Sequence, residues 1–309
     1  MALYTHADML DHRPGDWHPE RPQRLRAVVD ALEAADLPLI AADAPIAERR
    51  DLQLAHAESY VDRILKLSPG AGVIQLDPDT AVSAGSVLAA RRAAGAVAAA
   101  VRATLAGEVT RSFCAVRPPG HHAEPETPMG FCLFSNAAIG ARAAQAAGAR
   151  KVAVVDFDIH HGNGTEAVFR GRPELMFASI QQHPLWPGTG QPQADDPPNI
   201  VNATVPPGAS RAEWRDVFTA LMAKVEAFRP ELILISAGFD AHRADPVGQP
   251  APNAGQSLEA EDFGWATQAI VEVACAHAKG RVVSTLEGGY DLEALGQSVL
   301  AHVRALAEG

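Results

Sequence analysis

Residues 151–164 read Lys-Val-Ala-Val-Val-Asp-Phe-Asp-Ile-His-His-Gly-Asn-Gly, an apolar run that leads into two carboxylates, two imidazoles and two glycines. The valine-rich part predicts a β-strand over Lys151–Asp156. If the chain stays extended, Asp156, Asp158 and His160 point to one side, because strand side chains alternate. Acidic and histidine side chains this close are costly to bury unless something binds them. The stretch therefore predicts a buried strand that ends in a metal site with mixed Asp and His ligands.

Similar apolar runs alternate with helical patterns along the chain. The predicted strands are Ser112–Val116, Lys151–Asp156, Leu175–Ile180, Ile200–Val205, Glu231–Ser236 and Arg281–Leu286. The predicted helices are Arg21–Ala35, Ser86–Leu105, Ala137–Ala147, Arg211–Phe228, Leu258–Ala278 and Ala294–Ala307, two of them with capping boxes, Ser210 with Glu213 and Ser257 with Glu261. This alternation predicts an α/β fold with a single open, mostly parallel sheet, helices on both faces and the active site at the carboxyl ends of the strands. We expect one domain over residues 1–309.

Composition narrows the class of protein. The 309 residues carry 26 basic and 37 acidic side chains, a formal charge of −11, which disfavours binding to nucleic acid phosphates. Three cysteines without a C-x-x-C pair predict neither a disulfide framework nor a thiolate zinc site. The first residues lack a signal-peptide pattern, and no apolar run is long enough to span a membrane. We expect a cytoplasmic protein without nucleic acid or membrane partners.

Further reactive side chains follow other predicted strands. His121 and His122 lie in a Pro- and Gly-rich loop, Asp240 follows an apolar run, and Tyr290 follows two glycines. Each alone has an ordinary interpretation, as an exposed histidine pair, a common strand-end aspartate or a core tyrosine. Because the carboxyl ends of parallel strands lie at one edge of the sheet, we expect them to meet there.

Taken together, the motifs resemble the histone deacetylase and acetylpolyamine amidohydrolase superfamily. The resemblance rests on Gly120-His121-His122, the run from Asp156 to Gly164, Gly238-Phe239-Asp240 and Gly288-Gly289-Tyr290. It extends to His18–Pro22, Leu76–Thr80, Gly130–Cys132 and Pro187–Gly190. Asn163, where one branch of the family has aspartate, makes the chain more similar to class II and bacterial members.

The resemblance implies a role for each matching residue. It implies zinc, or alternatively iron(II), held by Asp158, His160 and Asp240, with His122 as general base and Tyr290 as hydrogen-bond donor to the oxyanion. His121 would be an electrostatic partner held by Asp156, and Asn163 would orient an imidazole. It also implies a potassium site and a substrate tunnel. The potassium residues would be Asp156, Asp158, His160, Ser179 and Ile180, and the tunnel residues Gly130, Phe131, Leu185, Trp186 and Val247.

The substrate prediction rests on two positions of the tunnel wall, Val247 and Leu185. Relatives selective for polyamines tend to have glutamate where this chain has Val247, so we expect an N-acyl-lysine side chain in a protein or peptide. Leu185 replaces an aromatic residue common in the tunnel wall, which suits acyl groups larger than acetyl. Hydrolysis of acetylpolyamines or other small acylated amines is the alternative, and an acyl-lysine binding module without turnover is the alternative of another class. A binuclear arginase-like site is disfavoured, because His161 and Asn163 supply no bridging carboxylate. The sequence leaves the oligomeric state open.

Overall fold

The computed structural model describes residues 1–249, 251 and 254–309. Its strands are β1 (Ala2–Thr5), β2 (Ile40–Asp43), β3 (Ile74–Gln75), β4 (Ala81–Val82), β5 (Arg111–Cys114), β6 (Val152–Asp156), β7 (Leu175–Gln182), β8 (Ile200–Val205), β9 (Leu232–Ala237) and β10 (Val282–Leu286). Eight of them form one parallel sheet in the order β2-β1-β5-β10-β9-β6-β7-β8, and β3 and β4 form a small antiparallel pair. Strands β6, β9 and β10 are fully buried, as expected for the middle of a sheet covered on both faces.

Helices cover the sheet in two groups. They are α1 (Pro22–Ala34), α2 (Arg49–Leu52), α3 (Glu58–Leu65), α4 (Ser86–Ala106), α5 (Asn136–Ala146), α6 (Asn163–Phe169), α7 (Arg211–Phe228), α8 (Ala260–His277) and α9 (Leu292–Glu308). Helix α9 packs between α1 and α8, and α8 also contacts α7, whereas α4 packs against α5 and α5 against α6. Within the described part of the chain, no helix has both the length and the apolar character needed to cross a membrane.

The predicted fold class is confirmed, and all six predicted strands and six predicted helices are present with small shifts at their ends. The sequence patterns missed the short strands β1 to β4 and the short helices α2, α3 and α6. Strand β2 is mostly exposed, so it lacks the apolar run that marks the central strands. The separate β3–β4 pair adds a second, small sheet to the predicted single one.

One of the two predicted capping boxes is wrong. Ser210 and Glu213 form a capping box at the start of α7, as predicted. Helix α8, however, is capped by Glu259 with Asp262, not by Ser257 with Glu261. The reason is that buried Leu258 forms a parallel bridge with His242, which keeps the chain extended beyond Ser257.

A buried ion pair fixes the N-terminal segment onto the loop that follows β5. Glu20 and Arg117 are both fully buried, and the guanidinium donates to both carboxylate oxygens, at 2.5 and 2.7 Å. Arg24 also donates to Glu20, at 3.1 Å. Removing one partner of such a pair leaves an uncompensated buried charge, so the segment is tightly held. The loop it supports carries the His121–His122 pair.

Two helical glycines give a matched test of the packing. A Cβ at Gly95 of α4 would overlap the backbone carbonyl of Pro45, whereas a Cβ at Gly264 of α8 would make an ordinary contact of 3.4 Å with the Ala301 carbonyl. We expect Gly95→Ala to lower the free energy of unfolding by about 1–3 kcal/mol through overpacking. Gly264→Ala should raise it by up to about 1 kcal/mol, because alanine favours the helix. Chemical denaturation of both variants measures this, and equal stability of the two would contradict the packing of α4.

Candidate active site

Two carboxylates and one imidazole converge where β6 and β9 end. Nδ1 of His160 lies 3.0 Å from Oδ1 of Asp158 and 3.0 Å from Oδ2 of Asp240. One donor atom from each residue lies within 4.8 Å of the others, and all three side chains are buried. Two carboxylates and one imidazole suit zinc and related divalent ions, and three protein ligands leave a coordination position open. The structure therefore brings together the three residues predicted as metal ligands, in an arrangement that fits such an ion.

The backbone that presents these side chains is bent. Strand β6 ends at Asp156, and residues 158–160 form a bend. The carboxylate of Asp156 accepts the Asp158 N–H at 3.1 Å, and that of Asp158 accepts the His160 N–H at 2.9 Å. The expectation that strand alternation aligns these side chains is therefore wrong. Local hydrogen bonds from carboxylate to backbone orient them instead.

Two glycines let the backbone approach the carboxylates. A Cβ at Gly238 would overlap the carboxylate of Asp158, and a Cβ at Gly288 would overlap those of Asp240 and Asp158. The Gly288 N–H donates to Oδ2 of Asp158 at 2.9 Å. Glycine is required at both positions by this close approach rather than by an unusual φ.

The two adjacent histidines have different partners and different protonation. Nδ1 of His121 lies 3.0 Å from Oδ2 of Asp156, and Nδ1 of His122 lies 2.8 Å from Oδ1 of Asn163. Burial alone would lower the pKa of His121, but the carboxylates of Asp158 and Asp156 outweigh it and raise that pKa to about 10. Burial and the imidazoles of His121 and His160 hold the pKa of His122 well below its usual value. One ring is therefore cationic and the other neutral at neutral pH.

The predicted metal ligands change one another's pKa values. Burial and the nearby carboxylate of Asp158 raise the pKa of Asp240 to about 7. Burial opposes the charged form of His160, yet its contacts with Asp158 and Asp240 raise its pKa to about 10. Two acidic groups this close repel each other unless a positive charge lies between them. The arrangement thus favours a cation at this position.

A cavity of about 270 Å³ leads to this cluster. Its walls are mostly apolar, and they include all five residues predicted to line the tunnel. The lining residues are Asp79, Pro119, His121, His122, Gly130, Phe131, His160, Leu185, Trp186, Val247, Gly288 and Tyr290. The ring centroid of Trp186 lies 4.6 Å from that of His122, and the ring centroid of Phe131 lies 5.8 Å from that of Tyr290. The predicted wall and the predicted reaction centre therefore share one cavity.

Asp79 lines the cavity, although it was predicted only as part of the motif Leu76–Thr80 and not as a site residue. Its Oδ1 accepts the Gly130 N–H at 3.0 Å and the Thr80 hydroxyl at 3.0 Å. Burial and the neighbouring Asp77 raise its pKa. Val247 stands where relatives selective for polyamines tend to have glutamate, but the cavity still contains a carboxylate. Asp79 supplies it from the segment between β3 and β4. The motif Leu76–Thr80 was the available signal, but the sequence alone does not show which of its two acids faces the cavity.

The segment that carries Tyr290 is held by buried groups. The Tyr290 N–H donates to Oδ2 of Asp245 at 2.6 Å, and the Arg24 guanidinium lies 4.7 Å from the centroid of the tyrosine ring. Burial raises the pKa of Tyr290 well above its usual value, so the hydroxyl keeps its proton. Glu287, just before the two glycines, is also fully buried. Its neighbouring glycines were the only sequence signal that it belongs to the site.

The predicted potassium residues also lie close to one another. Asp156 of β6 is directly opposite Ser179 of β7 in the parallel register. The Ser179 hydroxyl donates to Oε1 of Gln181 at 2.6 Å, while both oxygens of Asp156 accept hydrogen bonds, from Asp158 and His121. Ile180 follows in β7 and is buried. These contacts do not test the potassium site, which stays a prediction.

Comparison with known proteins assigns the family. Residues 18–306 match the histone deacetylase domain. The chain belongs to the histone deacetylase family. It is 35% identical to the histone deacetylase-like amidohydrolase of Pseudomonas aeruginosa, a similarity that covers 88% of this chain and 72% of that protein. This membership supports a deacetylase or amidohydrolase activity.

Two other relatives define the extent of the similarity. The type-2 histone deacetylase 2 of Dictyostelium discoideum is 34% identical over the whole chain, which spans only 21% of that larger protein. The crystal structure of the HDA15 HD domain superposes with a TM-score of 0.89 at 32% identity, covering 100% of this chain and 91% of the solved one. The histone deacetylase fold thus extends over the full chain.

The predicted metal ligands Asp158, His160 and Asp240 are called the metal-ligand cluster below. Gly288→Ala tests the close approach of the backbone to this cluster. Because the added methyl group would displace the carboxylates of Asp158 and Asp240, we expect zinc affinity to fall by about tenfold or more, a range comparable to that of disturbed metal-site neighbours. Competition titration with a chromophoric chelator measures this affinity. Gly264→Ala, on a helix outside the site, is the control and should bind zinc like the wild type. Unchanged affinity in Gly288→Ala would show that the cluster is not the zinc site.

Proposed function

We propose that the protein is a zinc-dependent deacylase that hydrolyses the amide of N-acyl-lysine side chains. One observation carries the proposal: a mostly apolar cavity ends at the convergence of Asp158, His160 and Asp240, with His122 and Tyr290 in its walls. A methylene chain fits such walls, and the amide at its end would reach the polar residues at the base.

Asp158, His160 and Asp240 would hold the zinc ion, with iron(II) as an alternative for the same donor set. When bound, the ion supplies Lewis acidity that polarises the scissile carbonyl and lowers the pKa of water. The family resemblance also supports a structural potassium ion near Asp156, Ser179 and Ile180. The chain's own residues would bind the substrate, orient it and transfer the protons.

His122 suits the role of general base. Oδ1 of Asn163 can only accept a hydrogen bond, and the Asn163 amide is oriented by its donation to Glu124 Oε1 at 2.8 Å. The Nδ1 of His122 therefore carries the proton, and its Nε2 is left with a free lone pair. A neutral imidazole in the cavity wall can take a proton from water and later deliver it to the leaving amine. His121, cationic beside Asp156, would stabilise negative charge nearby without exchanging its own proton.

Tyr290 suits the role of hydrogen-bond donor to the carbonyl oxygen. Its hydroxyl keeps its proton because burial raises the pKa of Tyr290. A donor directed at the oxygen on which negative charge develops stabilises the transition state more than the ground state. This role also favours an enzyme over an acyl-lysine binding module, since a module needs no such donor.

Val247 and Asp79 bear on the choice between lysine and polyamine. The apolar Val247, with Phe131, Leu185 and Trp186, favours a lysine stem over a second ammonium group. Asp79 can accept a hydrogen bond from a peptide N–H or from an ammonium group, so it suits both substrates. We therefore propose acyl-lysine proteins or peptides as the substrate and small acylated amines as the alternative.

Parallel assays distinguish these substrates. We expect the zinc-loaded protein to hydrolyse a fluorogenic acetyl-lysine peptide faster, in kcat/KM, than acetylputrescine or acetylspermidine, because the cavity wall is apolar at Val247. A hydroxamate chelator should abolish the activity, and longer acyl groups test the space beside Leu185. Turnover of the polyamines alone would identify the alternative substrate. Tight peptide binding without any turnover would identify a binding module.

Tyr290→Phe tests the proposed donor. Since only the hydroxyl is lost, we expect zinc content to stay at the wild-type level while kcat falls by about 10²–10³-fold, the usual effect of removing one such donor. Elemental analysis and steady-state kinetics on the acetyl-lysine peptide measure the two quantities. Tyr60→Phe is the control, because the Tyr60 hydroxyl is buried and donates to the Leu133 carbonyl outside the cavity. A wild-type kcat in Tyr290→Phe would rule out the assigned role.

A further inference from the structure

Glu287 connects the loop of the histidine pair to the segment of the tyrosine. Its side chain is fully buried at the carboxyl end of β10. Oε2 accepts the backbone N–H groups of Gly120 at 2.6 Å and His121 at 3.1 Å. Oε1 lies 3.0 Å from the hydroxyl of Ser236, at the end of β9. Three donors from two other segments thus meet on one carboxylate.

The segment that begins at Glu287 is also held by backbone hydrogen bonds at Gly288 and Tyr290. The Gly288 N–H donates to Asp158 at 2.9 Å, and the Tyr290 N–H donates to Asp245 at 2.6 Å. The first bond ties the segment to the metal-ligand cluster, and the second holds Tyr290 through Asp245, in the loop that follows Asp240. The bonds of Glu287 hold the same segment relative to the loop of the proposed base. Hydrogen bonds from backbone N–H groups to carboxyl oxygens are directional, so they fix distance as well as proximity.

We propose that Glu287 is a positioning residue that sets the placement of the His121–His122 pair against Tyr290. This inference rests on the proposed function, since it assigns those side chains to one reaction centre. Glu287 does not line the cavity, and it acts through the backbone of Gly120 and His121. Small displacements of reacting groups lower rates strongly, by about 100-fold for 1 Å.

Another buried carboxylate offers a control for stability alone. Asp262 is also fully buried, and it forms an ion pair with Arg211 at 2.6 Å and accepts a hydrogen bond from Arg215 at 2.8 Å. It also caps the start of α8. Its partners lie on α7 and at the start of α8 rather than in the cavity wall. Loss of Asp262 should therefore lower stability without displacing the histidine pair.

The test compares Glu287→Gln, Glu287→Ala and Asp262→Ala with the wild type, all zinc-loaded. In Glu287→Gln, the amide oxygen still accepts from Gly120 and His121, and the amide group can donate to Ser236, so we expect a kcat within about threefold of the wild type. In Glu287→Ala, we expect kcat to fall by about 10- to 100-fold, with KM and zinc content nearly unchanged. Asp262→Ala should lower the unfolding midpoint and leave kcat near the wild-type value. If Asp262→Ala fails to fold, Asp262→Asn serves as the control instead.

Three results would overturn the inference. The first is a wild-type kcat in Glu287→Ala, and the second is an equal loss of kcat in Glu287→Gln and Glu287→Ala. The third is a loss of kcat in Asp262→Ala that accompanies its loss of stability. Absence of turnover by the wild type on every acylated amine would instead reject the proposed function. Crystal structures of the wild type and Glu287→Ala then decide the positioning role. A displaced Gly120–His122 backbone supports it, and superposition of the two backbones overturns it.

Discussion

The cluster of buried carboxyl groups at the carboxyl edge of the sheet is the constraint on which the site depends. Asp156, Asp158, Asp240 and Glu287 are all buried there, and the cationic imidazole of His121 lies beside Asp156 and Asp158. Burying a carboxylate is costly unless donors or cations compensate it. Backbone N–H groups supply part of the compensation, at Asp158, Ile159, His160 and Gly288. A divalent cation between Asp158 and Asp240 would supply the rest, which ties the stability of the site to metal binding.

The sequence was sufficient for the central fold because the central strands are apolar on both faces. Runs such as Val152–Val155 and Leu232–Ile235 are buried throughout. Their continuous apolar sequence therefore marks them as strands without knowledge of the neighbouring strands in the sheet. Strand β2 could not be predicted in this way, because an exposed strand of four residues has no such pattern. The start of α8 was misplaced for a related reason. The bridge between His242 and Leu258 is a tertiary contact that no local capping signal contains.

The candidate site was predictable in its members but not in its geometry. Asp158, His160 and Asp240 are marked by residue type and by their place after strands. The bend that orients them arises from hydrogen bonds between carboxylates and backbone N–H groups. A prediction that continues the strand through these residues does not include those bonds. Glu287 was harder to recognise, because its partners Gly120 and His121 lie 167 and 166 residues away in the sequence. A buried carboxylate whose donors are distant backbone groups leaves almost no local pattern.

The architecture separates reaction chemistry from substrate choice. The metal-ligand cluster and the histidine pair are bound to the ends of the central strands through buried hydrogen bonds, so a change in one of them disturbs several others. The cavity wall instead comes from separate segments: Asp79 between β3 and β4, Leu185 and Trp186 after β7, and Val247 after β9. Of these wall residues, Trp186 is 41% exposed, so it can vary at little cost to folding. Acyl-chain and amine preference can therefore change in the loops while the hydrolytic centre stays intact.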